Sequence, residues 1–230
     1  MRVLAVDTSS ERGSVCVAEA KPVIEILGEV RIASSIQYSE RLFRSIEFLF
    51  HYLPFHLSDI DLFAAAAGPG SFTGLRVGLA AMEGFIAAHT NKKRGVGVTT
   101  LQALAWKTGL CDVLIAPMID ARRGDIYGAL YRRARNSDAL VEVVPPVVLK
   151  PAEWLNSLPQ VPLFFCGDGS KRYRSLIEAQ PGWLIHPMDL YLASTIAELA
   201  TTSNSGPLAP VYIRKTDAEI ARESIGSPSS

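Results

Sequence analysis

The chain reads as an α/β protein built from two duplicated lobes, and three observations predict it. Short β-branched runs alternate with stretches of helical periodicity, the pattern of sheets covered by helices. A strand, polar turn, strand unit at the N-terminus recurs past the middle of the chain. In both copies an aspartate closes the first strand and a glycine follows in the turn; these aspartates, Asp7 and Asp120, stand 113 positions apart in 230 residues. That spacing is close to half the chain and argues for duplication.

The first unit is Val3 to Val6, the turn from Asp7 to Gly13, and Ser14 to Ala18. Its echo is Val113 to Asp120, the turn from Ala121 to Asp125, and Ile126 to Tyr131. A third strand is expected near Ile24 to Ala33. Helical periodicity then runs from Ile36 to Leu53, with Leu42, Ile46, Leu49 and Leu53 on one stripe and Ile36, Phe43 and Phe50 on an adjacent one. Ser34 with Gln37 has capping-box spacing at its start. A strand at Leu62 to Ala67 leads into a glycine loop and a helix from Ser71 to Ala88, and a third helix starts near Thr99 or Thr100. The second half adds a strand at Val141 to Leu149, a short helix after Pro151, and a strand at Leu163 to Cys166. A helix from Asp189 to Ala200 follows, with Leu192, Ile196 and Leu199 on its apolar side. The tail ending Ser-Pro-Ser-Ser is too small and polar to pack.

The most informative stretch is Gly68-Pro69-Gly70-Ser71-Phe72-Thr73-Gly74-Leu75-Arg76-Val77-Gly78. A glycine loop between strand and helix can cradle an anion on free amides. Its spelling is neither G-x-G-x-x-G nor a P-loop, and Ser71 lacks the G-x-S-x-G elbow of a nucleophile. The competing reading is turn geometry and close packing, because the helix goes on using small residues. Gly74, Gly78, Ala81, Phe85 and Ala88 share one face; Leu75, Leu79, Met82 and Ile86 share another. Two apolar faces on one helix predict that one meets the sheet and the other meets the preceding helix or a different protein.

Composition narrows the function classes. Lys+Arg 23 balance Asp+Glu 23, so the basic excess of a protein gripping nucleic acid unaided is missing. Any nucleic-acid contact is then indirect, and Lys92-Lys93-Arg94 and Arg132-Arg133-Ala134-Arg135 read as solvated loops. An aspartate at position 7 leaves no room for a signal-peptide core, and no apolar run has membrane-spanning length, so a cytoplasmic protein is expected. Cys16, Cys111 and Cys166 have no C-x-x-C spacing and read as buried small hydrophobes; His51, His56, His89 and His186 lack metal-ligand spacing, so no metal is expected. Asp7, Asp120 and Asp168 all end strands, where open α/β sheets take ligands. Three carboxylates converging on a Mg²⁺-nucleotide, with Thr8 and Ser9 beside them, is one reading; capping of turns is the other.

Over nearly its whole length the chain resembles the TsaB (YeaZ) family. The matching pieces are the opening Val3 to Ser9, Ser39-Glu40-Arg41-Leu42, Gly68 to Gly78, Asp120 to Tyr127, Gly167-Asp168-Gly169 and Pro210 to Arg214. Tyr38 stands where the family often has histidine. The resemblance implies duplicated ribonuclease-H-like lobes of the actin/Hsp70/sugar-kinase (ASKHA) type, with an N-terminal lobe at 1–100, a C-terminal lobe at 101–220 and a flexible tail at 221–230. It implies a chain with no catalytic residues of its own, pairing with the catalytic paralogue TsaD in threonylcarbamoyladenosine (t6A) modification of tRNA position 37. The ATPase TsaE joins them, and the chain pairs with itself when the partner is absent. The interface implied uses Ile36, Glu40, Phe43, Phe50, Gly74, Gly78, Leu79, Ala81, Met82 and Phe85. No cofactor is expected in the chain alone, ATP or ADP being held at an interface shared with partners. An ATP-dependent phosphotransferase on the same fold is the alternative, and a peptidase the more distant one.

Overall fold

The N-terminal hairpin forms as β1 (Arg2–Asp7) and β2 (Arg12–Ala20), antiparallel, with Asp7 opposite Ser14. The computed structural model to which this belongs describes residues 1–34, 38–89, 93–137, 139–202 and 205–213. β3 (Ile24–Ala33) continues the meander, and α1 (Tyr38–Tyr52) carries the chain back so that β4 (Leu62–Gly68) lies parallel to β1. α2 (Phe72–Ala87) crosses over to β5 (Arg94–Thr99), parallel to β4.

After α3 (Thr100–Lys107) the second half repeats the plan. β6 (Leu114–Asp120), β7 (Ile126–Arg133) and β8 (Leu140–Leu149) form the meander, then come α4 (Pro151–Ser157) and β9 (Leu163–Cys166). α5 (Asp168–Arg172), α6 (Arg174–Glu178), β10 (Trp183–Ile185), α7 (Ala193–Leu199) and β11 (Gly206–Pro207) complete the chain. The sheets run β11-β5-β4-β1-β2-β3 and β10-β9-β6-β7-β8. Without β11 the two orders are the same, with β6 standing where β1 stands, as the recurring aspartate predicted.

Strand alternation sorts the core into layers, because successive side chains point to opposite faces. On β1, Leu4 and Val6 pack outward under α1 and α2 with Val15, Val17, Phe63 and Ala65. Val3 and Ala5 point the other way, into a central cluster holding Leu101 and Leu104 of α3, Ile196 and Leu199 of α7, and Ile115 and Tyr131 of the second sheet. Across that sheet Ala116, Met118 and Phe165 pack on Trp154. The layers are therefore helices, sheet, helices, sheet, helices. A hydrogen bond from Trp106 Nε1 to Glu198 Oε2 (2.8 Å) ties α3 to α7 in the middle.

Several expectations need correction. Of the basic cluster Lys92-Lys93-Arg94 expected in a solvated loop, Arg94 opens β5; Gly95 and Gly97 in that strand have little strand propensity, but both are needed where Leu208, Ile86 and Pro207 crowd in. The expected helix from Asp189 begins at Ala193, because Asp189 accepts from the Tyr191 amide (3.0 Å) and pairs with Lys107 (3.1 Å). Its apolar stripe is correct: Leu192, Ile196 and Leu199 are buried. Elements from the second half of the chain also join the first sheet. α7 packs on β1 and β2, and β11 extends the first sheet, since the apolar inner face of that sheet has to be covered from somewhere. Cys16 and Cys166 are buried as expected, but Cys111 is only half-buried. Ile36, the Gln37 half of the capping box, Lys92 and the tail at 221–230 lie outside the described residues. Among the described residues no helix is long and apolar enough to cross a membrane.

Candidate functional site: the interlobe cleft and the outer helices

The ends of β1, β4 and β6 open onto a cleft of about 750 Å³ between the lobes. One wall is the β1–β2 turn with Tyr38 and the glycine loop; the other carries Ile119, Asp120, Arg122, Tyr127 and Asp168. The glycine loop is packed against the turn and has no room for a ligand between them. The Ser71 amide donates to the Ser9 carbonyl (2.7 Å), and a Cβ at Gly70 would lie 2.6 Å from that same oxygen. Ser71 Oγ caps α2 by accepting from the Gly74 amide (3.2 Å), so it serves the helix and not nucleophilic chemistry. Thr8 Oγ1 donates to the Gly74 carbonyl (2.7 Å).

The three strand-end aspartates do not converge. Asp7 is buried (1% exposed) and accepts from the Ser9 amide (2.9 Å); it faces Thr8, Ser14 and Arg41 rather than the cleft. Burial pushes its carboxyl up to about 6, against hydrogen bonds from Ser9 and Leu192 and the charge of Arg41. Asp120 and Asp168 do meet at the second wall. Asp168 Oδ1 accepts from the amides of Asp120 (3.2 Å) and Gly169 (2.9 Å). Asp120 accepts from the Arg122 amide (3.0 Å) and from Arg172 Nη1 (2.7 Å). Recessed placement raises the Asp168 carboxyl, and the like charge of Asp120 adds to it. All three carboxylates accept from backbone amides of their own turns, and among the described residues no group of three or more histidine, cysteine or acidic side chains is placed to hold a metal. The turn after β6 holds Arg122 (φ 62°), Arg123 (φ 52°) and Gly124 (φ 80°) in the left-handed region.

Arg41 is the residue that sequence reasoning missed. Buried on α1, its Nη1 donates to the carbonyls of Glu11 (2.7 Å) and Ser34 (2.6 Å), and Nη2 donates to Ser10 (3.0 Å). Its guanidinium lies 4.6 Å from the Tyr38 ring centre. Two signals pointed to it: the Ser39-Glu40-Arg41-Leu42 piece shared with the family, and an arginine at the edge of the stripe Leu42, Ile46, Leu49.

The expected interface residues divide into two groups. Gly74 and Gly78 are not open to a partner: a Cβ at Gly74 would stand 2.0 Å from the Thr8 carbonyl, and one at Gly78 would stand 2.4 Å from Thr8 Oγ1. Leu79, Ala81 and Met82 are also buried, because α2 uses both its glycine stripe and its leucine stripe to sit on the sheet and on α1. Glu40 and Phe43 (48% exposed) do reach the surface, and Phe50 and Phe85 do so in part. The outward strip of α2 is Ala80, Glu83, Gly84 and Ala87, beside Phe43, whose ring meets Phe85 edge-on at 6.1 Å. At Gly84 a Cβ would meet nothing within 4 Å among the described residues.

A family model described as TsaD, tRNA N6-adenosine threonylcarbamoyltransferase, matches residues 26–176, more than half of the chain. The tRNA threonylcarbamoyladenosine biosynthesis protein TsaB of Bacillus subtilis (strain 168) is 29% identical over 180 residues, covering 77% of this chain and 76% of that protein. The protein of the same name from Escherichia coli (strain K12) is 34% identical over 143 residues, covering 59% and 57%. Among solved structures, YeaZ from Pseudomonas aeruginosa superposes with a TM-score of 0.74 at 23% identity, over 92% of this chain and 99% of that one. Together with the repeated strand order, this gives the fold as duplicated lobes of the actin/Hsp70/sugar-kinase type.

Proposed function

Because the chain belongs to the TsaB (YeaZ) family and so takes part in tRNA threonylcarbamoyladenosine biosynthesis, we propose that it is the non-catalytic subunit that docks on TsaD and holds it in its active shape. The observation that supports this is Gly84. A glycine inside a helix costs about 1 kcal/mol against alanine. Gly74 and Gly78 have an internal reason, the approach of Thr8, whereas among the described residues nothing approaches Gly84. Flanked by Ala80 and Ala87 and bordered by Phe43, it leaves a flat strip on which another helix backbone can lie.

Docking there acts on TsaD as a coupling free energy and makes no bond. The same strip accounts for self-pairing in the absence of TsaD. TsaE joins the assembled pair in the cytoplasm, tRNA is touched through the partner, and ATP or ADP sits at an interface shared between subunits. Glu40, Phe43, Phe50 and Phe85 carry the contact; Gly74, Gly78, Leu79, Ala81 and Met82 support it from beneath. The phosphotransferase alternative is disfavoured by the internal capping of the cleft amides, and the peptidase by the role of Ser71 as helix cap.

The test is reconstitution of tRNA threonylcarbamoylation from the matching TsaD and the other components. Modification should collapse when this chain is omitted, and an Ala80→Arg or Gly84→Leu variant, folded by circular dichroism, should fail to restore it. Equal synthesis without the chain overturns the reading.

A further inference from the structure

We propose that Glu83 selects the partner of the docking face: the surface that covers it has to bring a lysine or arginine, and a second copy of this chain is disfavoured because it brings another carboxylate. This rests on the docking role above and names the chemistry that role demands of TsaD. Glu83 is exposed on the outward strip of α2, three residues after Ala80 and beside Gly84. Helix positions three and four apart share a face, so a backbone laid across Ala80, Gly84 and Ala87 covers Glu83 as well. A carboxylate taken out of water needs a counter-charge; left alone it opposes the contact.

The two helices do not supply that counter-charge. Among the described residues the Glu83 carboxylate has neither ion pair nor hydrogen bond, and the same is true of Glu47, exposed one turn after Phe43. α1 and α2 carry three arginines and no lysine, and each arginine is engaged elsewhere. Arg41 is buried on the carbonyls of Ser10, Glu11 and Ser34. Arg44 Nε pairs with Glu40 at 3.2 Å. Arg76 lies 3.9 Å from the Phe72 ring centre, and its Nε donates to Tyr212 Oη (3.4 Å). The uncompensated charge of the face is therefore negative.

A symmetric pair of identical chains sets the same patch on both sides of the contact. With closest approach at Gly84, where a Cβ meets nothing among the described residues, each Glu83 comes beside its own copy and the two repel. A different protein is free to place a cation there. Salt then acts in opposite directions on the two assemblies, because screening removes repulsion from the self-pair and attraction from the pair with TsaD.

Sedimentation of the full chain alone, and its titration with the matching TsaD, test this in low and high NaCl, about 50 and 500 mM. Salt should tighten self-association at least threefold and weaken TsaD docking by at least as much. Glu83→Gln should tighten self-association at least threefold in low salt and reduce both salt dependences. Glu83→Lys should weaken TsaD docking at least tenfold, with circular dichroism of both variants unchanged. The proposal is overturned if Glu83→Lys docks as tightly as the wild-type chain, if Glu83→Gln leaves self-association unchanged, or if salt moves both assemblies in the same direction. A wild-type chain that does not bind TsaD at all sinks the docking role instead, and the self-association series still decides what Glu83 does.

Discussion

The two lobes put an aspartate at the same point of the same strand and give it opposite surroundings. Asp7 ends β1 in the interior, one oxygen on the Ser9 amide and the other, Oδ2, without a hydrogen-bond partner among the described residues. Asp120 ends β6 at the cleft, shared between an amide and the Arg172 guanidinium. The helices differ in the same sense. The first lobe has α1 and α2, of 15 and 16 residues, while the corresponding α4 and α5 of the second have 7 and 5. Duplication preserved the strands, whose pairing leaves little freedom, and let the covering layer diverge. The first lobe keeps two long helices over a tightly held interior; the second presents a wall rich in charge.

The largest effect that breaks this comparison should come from Gly74→Ala. The new methyl would collide with the Thr8 backbone, and stability should drop by about 3 kcal/mol or more in urea unfolding. A wild-type-like curve would mean that α2 is not seated on the β1–β2 turn. Next is Asp7. Its carboxyl, raised to about 6, keeps a proton in the folded state that the unfolded chain releases near 4. Stability should therefore be greatest below that window and fall as pH rises through 6, by about 3 kcal/mol in full. Asp7→Asn should flatten the slope between pH 4.5 and 7.5; a slope that persists locates the titration elsewhere.

Gly128→Ala probes the second lobe, where a Cβ would stand 2.4 Å from the Trp154 ring. A side chain yields more readily than backbone, so the expected loss is about 2 kcal/mol, less than at Gly74. Gly84→Ala should have the opposite sign, raising the stability of the isolated chain by about 1 kcal/mol while weakening TsaD docking in a pull-down titration. The smallest effect should be Asp120→Asn: a slight, salt-sensitive shift in Tm, since Arg172 is solvent-exposed.

Much of the architecture was legible before any coordinates. Period-two runs marked the meander strands, and Asp7 and Asp120 marked the equivalent strand ends, because alternation and strand termination are local properties. Helical stripes placed α1 and α2 for the same reason. β5 escaped because Arg94-Gly95-Val96-Gly97 has weak propensity, and only the crowding of Leu208 and Pro207 explains its glycines. The short β10 and β11 escaped similarly, being strands only by virtue of the neighbours they pair with.

By itself the sequence determined the duplicated fold, the family, and the long helices α1 and α2. Only the tertiary structure decided which glycines of α2 face inward. Gly74, Gly78 and Gly84 look alike along the helix, and the distinction is drawn by Thr8, some seventy residues away in sequence, lying against the first two and not the third. The same holds for Arg41 and for the capped amides of the cleft. A missing Cβ or a buried charge acquires its meaning from what packs against it, and that partner is chosen by the fold as a whole rather than by the residue's own stretch of chain.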